Sequence, residues 1–279
     1  MQTIRRLEDL LEAVSAFRAA GERVALVPTM GALHAGHMAL VEEARLAANR
    51  VVVSIFVNPT QFGPNEDFGQ YPRKEQADSR MLSGAAVDIL WMPSVEEMYP
   101  NGPEIDVKAS EIGDVLDGAH RPGHFDGVTT VVARLLKQVQ PDVALFGEKD
   151  WQQLAVIRRM VEDLKLPVTI QGVTIQRDDD GLALSSRNIY LMPEDRAKAV
   201  ALPRALGAAE RAISGGEDPA NALAQAIDTL SAAGFDVDYV ELRDAATLGS
   251  PVAGQPMRLL AAARIGGTRL IDNIAVVYE

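Results

Sequence analysis

Cysteine is absent from all 279 residues. That removes disulfide staples, thiolate nucleophiles and cysteine-ligated zinc, and it fits a cytoplasmic setting. Histidine is scarce, with four in the whole chain, so a place where two stand together carries weight. Long apolar runs are missing as well. No stretch approaches the ~18 uninterrupted apolar residues of a membrane span, and Met1 to Arg6 leads into acidic amphipathic sequence instead of an apolar signal core. No membrane partner is therefore expected. Basic charge is in short supply too: 27 Lys and Arg against 39 Asp and Glu give a formal charge of −12. Such a surface repels duplex DNA and anionic membranes, which argues against a nucleic-acid partner. An anionic substrate would require positive charge gathered locally against the global field.

What is present reads as α/β. The chain is 47% apolar, enough to bury a sizeable core. Val24–Val27, Val51–Val57, Val87–Trp91 and Asp142–Phe146 are short apolar runs rich in β-branched residues. Helical periodicity lies between and after them, at 37–49, 74–83, 127–138 and 151–164. This alternation predicts a Rossmann-like parallel sheet covered on both faces, whose ligands bind at the carboxyl ends of the strands. Near Thr174 the pattern changes. A charged turn at Arg177–Gly181 precedes Ala-rich helical stretches at 193–213 and 219–232 and strand-like runs at 237–242, 257–263 and 271–277. The expected organisation is a sheet domain over 1–174 and a smaller C-terminal α/β domain over 175–279 with an antiparallel sheet.

Several polar segments fall where such a fold binds ligands. Pro28 to His37 places His34 and His37 three apart, with Gly36 between them, at a helix start directly after the first apolar run. Free N–H groups and the positive end of the helix dipole favour an anion there, and two imidazoles add hydrogen-bond donors. A capping turn with two exposed histidines is the bland alternative. A two-histidine metal site is discounted because no carboxylate stands at ligand spacing. Leu184-Ser185-Ser186-Arg187-Asn188 supplies two hydroxyls and a guanidinium able to grip phosphates, or a polar helix cap. Gly147-Glu148-Lys149-Asp150 offers Lys149 to phosphate, with Asp150 either near it or capping the next helix, and Gln153 one turn on. Asn58 and Gln61 carry amides suited to a hydroxy acid, because an amide both donates and accepts. Arg121 could hold a carboxylate, and His124 reads as a structural histidine.

Taken in order, P-T-M-G-x-L-H-x-G-H, V-N-P-x-Q-F, Y-P-R, R-P-G-H-F, G-E-K-D-x-Q-Q and D-G-L-A-x-S-S-R-N resemble the pantothenate synthetase family of H-x-G-H nucleotidyltransferases. The resemblance implies an ATP-dependent ligase joining (R)-pantoate to β-alanine through a pantoyl-adenylate, with AMP and pyrophosphate released. It also implies Mg²⁺ with ATP, a homodimer and a cytoplasmic location. It implies an ATP site formed by Pro28, Thr29, Met30, Gly31, Ala32, Leu33, His34, Ala35, Gly36 and His37, by Gly147, Glu148, Lys149 and Asp150, and by Gln176, Leu184, Ser185, Ser186 and Arg187. His37, His34, Lys149 and Arg187 carry the chemistry, with His37 as the acid-type residue. Gln61, Gln153, Asn58 and Arg121 hold pantoate and β-alanine, and Asp78 lies near magnesium. Thr60, where methionine is frequent in the family, and Gln176, where an apolar residue is commoner, are the departures. A nucleotidyltransferase for another acid and a nucleotide-sensing module are the competing readings. The first leaves Gln61 and Gln153 unexplained, and the second leaves the full set of histidines and cations without a task.

Overall fold

The computed structural model describes residues 1–64 and 66–277. The chain opens with strand β1 (Gln2–Ile4) and helix α1 (Leu7–Ala19). It continues through β2 (Val24–Thr29), α2 (Ala35–Ala47), β3 (Arg50–Ile55), α3 (Glu75–Gly84), β4 (Ile89–Trp91) and α4 (Val95–Met98). Then come α5 (Asp117–His120), α6 (His124–Val139), β5 (Val143–Gly147), α7 (Trp151–Asp163) and β6 (Thr169–Val173). The six strands form one parallel sheet in the order β1-β4-β3-β2-β5-β6. Two of them, β1 and β6, escape the apolar pattern because they are the edges. β1 has three residues, and β6 carries Gln171 and Gly172 on a half-covered margin.

Both faces of this sheet are covered, which is why its central strands are apolar without alternation. Val24 and Leu26 point with Val52 into a core shared with α1, α6 and α7, through Leu10, Val131, Leu135 and Ile157. Ala25 and Val27 point with Val51 and Val53 into the opposite core against α2 and α3, through Leu40, Val41, Ala44 and Leu82. The period-two alternation of strand side chains thus divides one apolar run between two cores.

The remainder of the chain forms the expected smaller α/β unit. It contains α8 (Pro193–Ala199), α9 (Ala201–Ser214), α10 (Pro219–Ala232), β7 (Asp236–Asp244), β8 (Met257–Ile265) and β9 (Thr268–Val276). The Ala-rich helical stretch breaks at Val200. Pro203 has no N–H to offer the Ala199 carbonyl, so a continuous helix would lose that bond. The strands form an antiparallel sheet in the order β7-β8-β9. One of its faces packs on α9 and α10 through Leu202, Leu206, Leu230 and Leu259. The other, with Tyr239, Leu260 and Ala262, packs on Leu116, Ala155 and Leu248, so β8 is buried on both sides. No helix among the described residues is long and apolar enough to cross a membrane.

Candidate active site

The chain leaves β2 toward β3 and β4 on one side and returns to add β5 and β6 on the other. Helices α2 and α6 depart onto opposite faces. Such a switch point opens a crevice at the carboxyl ends of the two strands concerned. The H-x-G-H turn follows β2 and the G-E-K-D turn follows β5, so the two signals meet there because of strand order.

His34 is the N-cap of α2. Its Nδ1 accepts from the Gly36 N–H at 3.1 Å, and the His37 Nδ1 accepts from the His34 N–H at 3.3 Å. Each ring therefore carries its proton on Nε2, which leaves two N–H donors for a ligand. The rings lie 4.1 Å apart. A side chain at position 36 would bring its Cβ to 2.9 Å from the His34 ring, so glycine is the residue that fits. Burial, reinforced by His34 and Lys149, lowers the His37 pKa to about 3. Burial and Lys149 lower that of His34 as well. Both rings are neutral donors at neutral pH.

The turn before them is held from below. Gly31 and Ala32 have φ of 83° and 51°, a left-handed pair that turns its N–H groups inward. The buried carboxylate of Asp78 accepts from Ala32 N–H and Leu33 N–H, each at 2.9 Å. Gly31, Ala32, Leu33 and Asp78 thus shape the loop from outside the cavity that His34 and His37 line, which they do not line themselves. Asn58 is likewise set back. It is 1% exposed, donates to the Gly127 carbonyl at 3.0 Å and to Gln61 Oε1 at 3.2 Å, and accepts from Tyr99 Oη at 2.7 Å. Gln61, which does line the cavity, is therefore aimed by Asn58. His124 supports the same residue. Its Nδ1–H donates to the Gln61 carbonyl at 2.7 Å, and its Nε2 accepts from Arg121 at 2.9 Å. Burial, with Arg121 adding to it, lowers the His124 pKa to about 4.

The cations come from distant segments. Lys149 stands in a one-turn 3₁₀ helix after β5, with Asp150 Oδ1 3.6 Å from its Nζ. Asp150 makes no side-chain cap on α7. Ser185 does cap, accepting from Arg187 N–H at 3.3 Å. Ser186 Oγ meets Tyr71 Oη at 3.1 Å. Arg187 is gripped by Asp67 at 2.9 and 3.1 Å, and Arg121 by Glu66 at 2.6 and 2.7 Å. Two adjacent acids of the segment after β3, Glu66 and Asp67, thus pair with the two arginines.

A cavity of about 240 Å³ is lined by Pro28, Met30, His34, Gly36, His37, Gln61, Arg121, Gly147, Lys149, Gln153, Gln176 and Ser185–Arg187, together with Thr29, Asp150 and Leu184. Ala35 and Glu148 do not line it. A second cavity of about 500 Å³ adjoins it, sharing Arg121, His124, Lys149, Gln153 and Arg187 and reaching the β8–β9 turn. Together they form a two-part cleft lined by cations, neutral imidazoles and amides. No group of three or more His, Asp or Glu side chains converges as a metal cage among the described residues.

Residues 2–275 match the pantoate-beta-alanine ligase family. The chain is 59% identical to the pantothenate synthetase of Rhizorhabdus wittichii, over 99% of both chains. It is 55% identical to that of Paramagnetospirillum magneticum, over 98% of this chain and 97% of the relative. The fold superposes on the pantothenate synthetase of Thermus thermophilus with a TM-score of 0.93 at 48% identity, each chain fully covered. The pantoate-beta-alanine ligase of Francisella tularensis, solved with beta-gamma ATP and β-alanine, gives a TM-score of 0.84 at 34% identity, over 98% of this chain and 97% of the other. With a family match across nearly its whole length and relatives at such identity, the chain belongs to the pantoate-beta-alanine ligase family.

Proposed function

We propose that the chain condenses (R)-pantoate with β-alanine at the expense of Mg²⁺-ATP, through a pantoyl-adenylate held in the two-part cleft. The observation that supports this most is convergence. His34 and His37 after β2, Lys149 after β5 and Ser185–Arg187 from the C-terminal region surround one cavity, with Gln61 and Gln153 beside them. In the first step a pantoate carboxylate oxygen bonds to the α-phosphorus, the bond from that phosphorus to the bridging oxygen breaks, and pyrophosphate leaves. Two anions must approach one another, so their repulsion has to be offset by fixed positive charge and donors. Lys149 and Arg187 supply charge. The Nε2–H groups of His34 and His37 donate to phosphate oxygens as neutral imidazoles, so His37 acts as an acid-type residue through its hydrogen bond. Mg²⁺ accompanying ATP would add to the positive charge that Lys149 and Arg187 offer the phosphates. In the second step the free amine of β-alanine attacks the acyl carbon, AMP departs and the nitrogen loses a proton.

Gln61 and Gln153 hold the pantoyl group, with Asn58 acting through Gln61 and Arg121 at the β-alanine carboxylate. Pro28–Met30, His34, Gly36, His37, Gly147, Lys149, Asp150, Gln176 and Leu184–Arg187 form the nucleotide side, and Gly31–Leu33, Ala35 and Glu148 shape its loops from behind, with Asp78 beneath Ala32 and Leu33. The region after residue 174 serves as a lid domain that excludes water from the hydrolysable adenylate. A cytoplasmic homodimer completes the proposal, supported by the family resemblance. The test mixes protein, ATP, Mg²⁺, pantoate and β-alanine and measures AMP, with each component omitted in turn. AMP should appear with the complete mixture and fall to background in every omission. In a separate assay with labelled pyrophosphate and no β-alanine, His37→Ala should lower pantoate-dependent pyrophosphate exchange by roughly 10²–10³-fold while the protein stays folded. A near-parental exchange rate removes His37 from the chemistry.

A further inference from the structure

We infer that Asp272 and Asn273, neighbours on β9, are positioning residues that set the G-E-K-D turn and the Arg177–Arg187 segment against each other. The inference rests on the ATP-site reading above.

Both side chains are 2% exposed. Asn273 Nδ2 donates to the Glu148 carbonyl at 3.0 Å and to the Lys149 carbonyl at 2.9 Å. Its Oδ1 accepts from Arg258 Nε at 2.6 Å. Both amide protons thus go to the backbone of one phosphate-binding turn, and the oxygen is anchored to a guanidinium that lies 3.8 Å over the Trp151 ring. Asp272 points the other way, as the next residue on a strand must. Its carboxylate takes both arms of the Arg177 guanidinium, at 2.7 and 2.8 Å. Arg177 also donates to the Gly181 carbonyl at 3.0 Å. It pairs with Ala183 across a bridge, and Leu184 N–H donates to the Gln176 carbonyl at 2.9 Å. The turn that delivers Ser185, Ser186 and Arg187 is therefore pinned at its base.

One dipeptide on the last strand holds two loops that come from different parts of the chain. Phosphate contacts reward correct placement steeply, because a misplacement near 1 Å can cost about 100-fold in rate. Both residues also line the larger cavity, while their side-chain hydrogen bonds go to the Glu148 and Lys149 carbonyls, Arg258, Arg177 and the Asn273 N–H. Their action runs through the Lys149 backbone and through Arg177.

A positioning role makes a prediction that a merely structural one does not. Asn273→Ala should lower kcat/KM for ATP in pyrophosphate exchange by about 10–100-fold and leave the KM for β-alanine within about twofold of the parent. Combined with Lys149→Ala, it should add no more than about twofold to the Lys149→Ala loss, since the group it positions is gone. Asn273→Asp keeps the volume and the Arg258 partner but removes the donor, so it runs the same cycle if the alanine variant does not fold. Asp272→Asn with Arg187→Ala repeats the cycle for the second loop. Losses that multiply, or a single variant within about twofold of the parent for ATP, overturn the inference. If Lys149→Ala itself leaves exchange unchanged, the ATP-site reading fails first and takes the inference with it.

Discussion

Replacing Asp78 with alanine separates a brace from a metal ligand. Both carboxylate oxygens accept backbone N–H groups, from Ala32 and Leu33, at 2.9 Å each. Alanine would leave two donors without partners beneath a turn whose Ala32 already sits at φ of 51°. An unsatisfied buried donor costs about 1–3 kcal/mol. Removing the carboxylate also relieves its own desolvation, so the two losses do not add in full. A net destabilisation of about 3 kcal/mol follows, which in a chain of this size lowers Tm by roughly 6–12 °C. Asp78→Asn keeps one acceptor and turns an amide N–H toward the other donor, so it should fall between parent and alanine. The assay is urea denaturation followed by circular dichroism, without ATP and without magnesium. Relaxation of the turn should also weaken ATP, because His34 and His37 follow directly from it. The reasoning is refuted if Asp78→Ala matches the parent within about 1 kcal/mol and its defect appears as a raised magnesium requirement alone.

Three further predictions follow from the same geometry. Gly127→Ala would place its Cβ 2.3 Å from the Thr60 carbonyl oxygen and 2.7 Å from the Gln61 nitrogen. The helix or the Asn58–Gln61 turn must then shift, and a destabilisation of about 1–3 kcal/mol with a raised KM for pantoate should appear in melting and initial-rate measurements. The neutral, buried His37 has a folded-state pKa of about 3, below its unfolded value. The unfolded chain therefore binds the extra proton as pH falls through 6.5, and stability is lost between that pH and about 3. His37→Gln should flatten the drop in unfolding free energy, read from urea titrations between about pH 7 and pH 4, by about 3 kcal/mol, and an unchanged slope would contradict the assignment. Gln61→Ala should slow both adenylate formation and its aminolysis when the two half-reactions are timed separately; damage confined to one would refute a shared contact.

The histidines and hydroxyls that line the cavity were legible in the sequence because their chemistry is local. The H-x-G-H turn caps its own helix within four residues, and Ser185 caps its own turn, so each motif carries its geometry in its spacing. The apolar strands were legible for a related reason: burial on both faces leaves no polar alternation. The residues behind the site were not. Asp78 lies 46 positions from Ala32, and Asn273 lies 124 from Lys149. Asp78 is named by the family resemblance alone, as a residue near magnesium, and Asn273 reads as an ordinary polar residue on a strand; nothing nearby in the sequence marks the partner of either. The edge strands β1 and β6 were hidden because an edge needs little apolar sequence to pair.

Sequence by itself determined the composition of the site: which donors, cations and amides are available, and that thiol chemistry is not. It also determined the alternation of elements that makes a parallel sheet. Tertiary structure alone decided that these groups share one cleft, since strand order brings the ends of β2 and β5 together and β9 closes against both loops. It also decided protonation and reach. Burial keeps His37 neutral; Asn58 is set back behind Gln61, which faces the cavity, and Asp78 braces the turn that leads into His34. Solvent exclusion and through-space pairing depend on neighbours that the linear chain keeps apart.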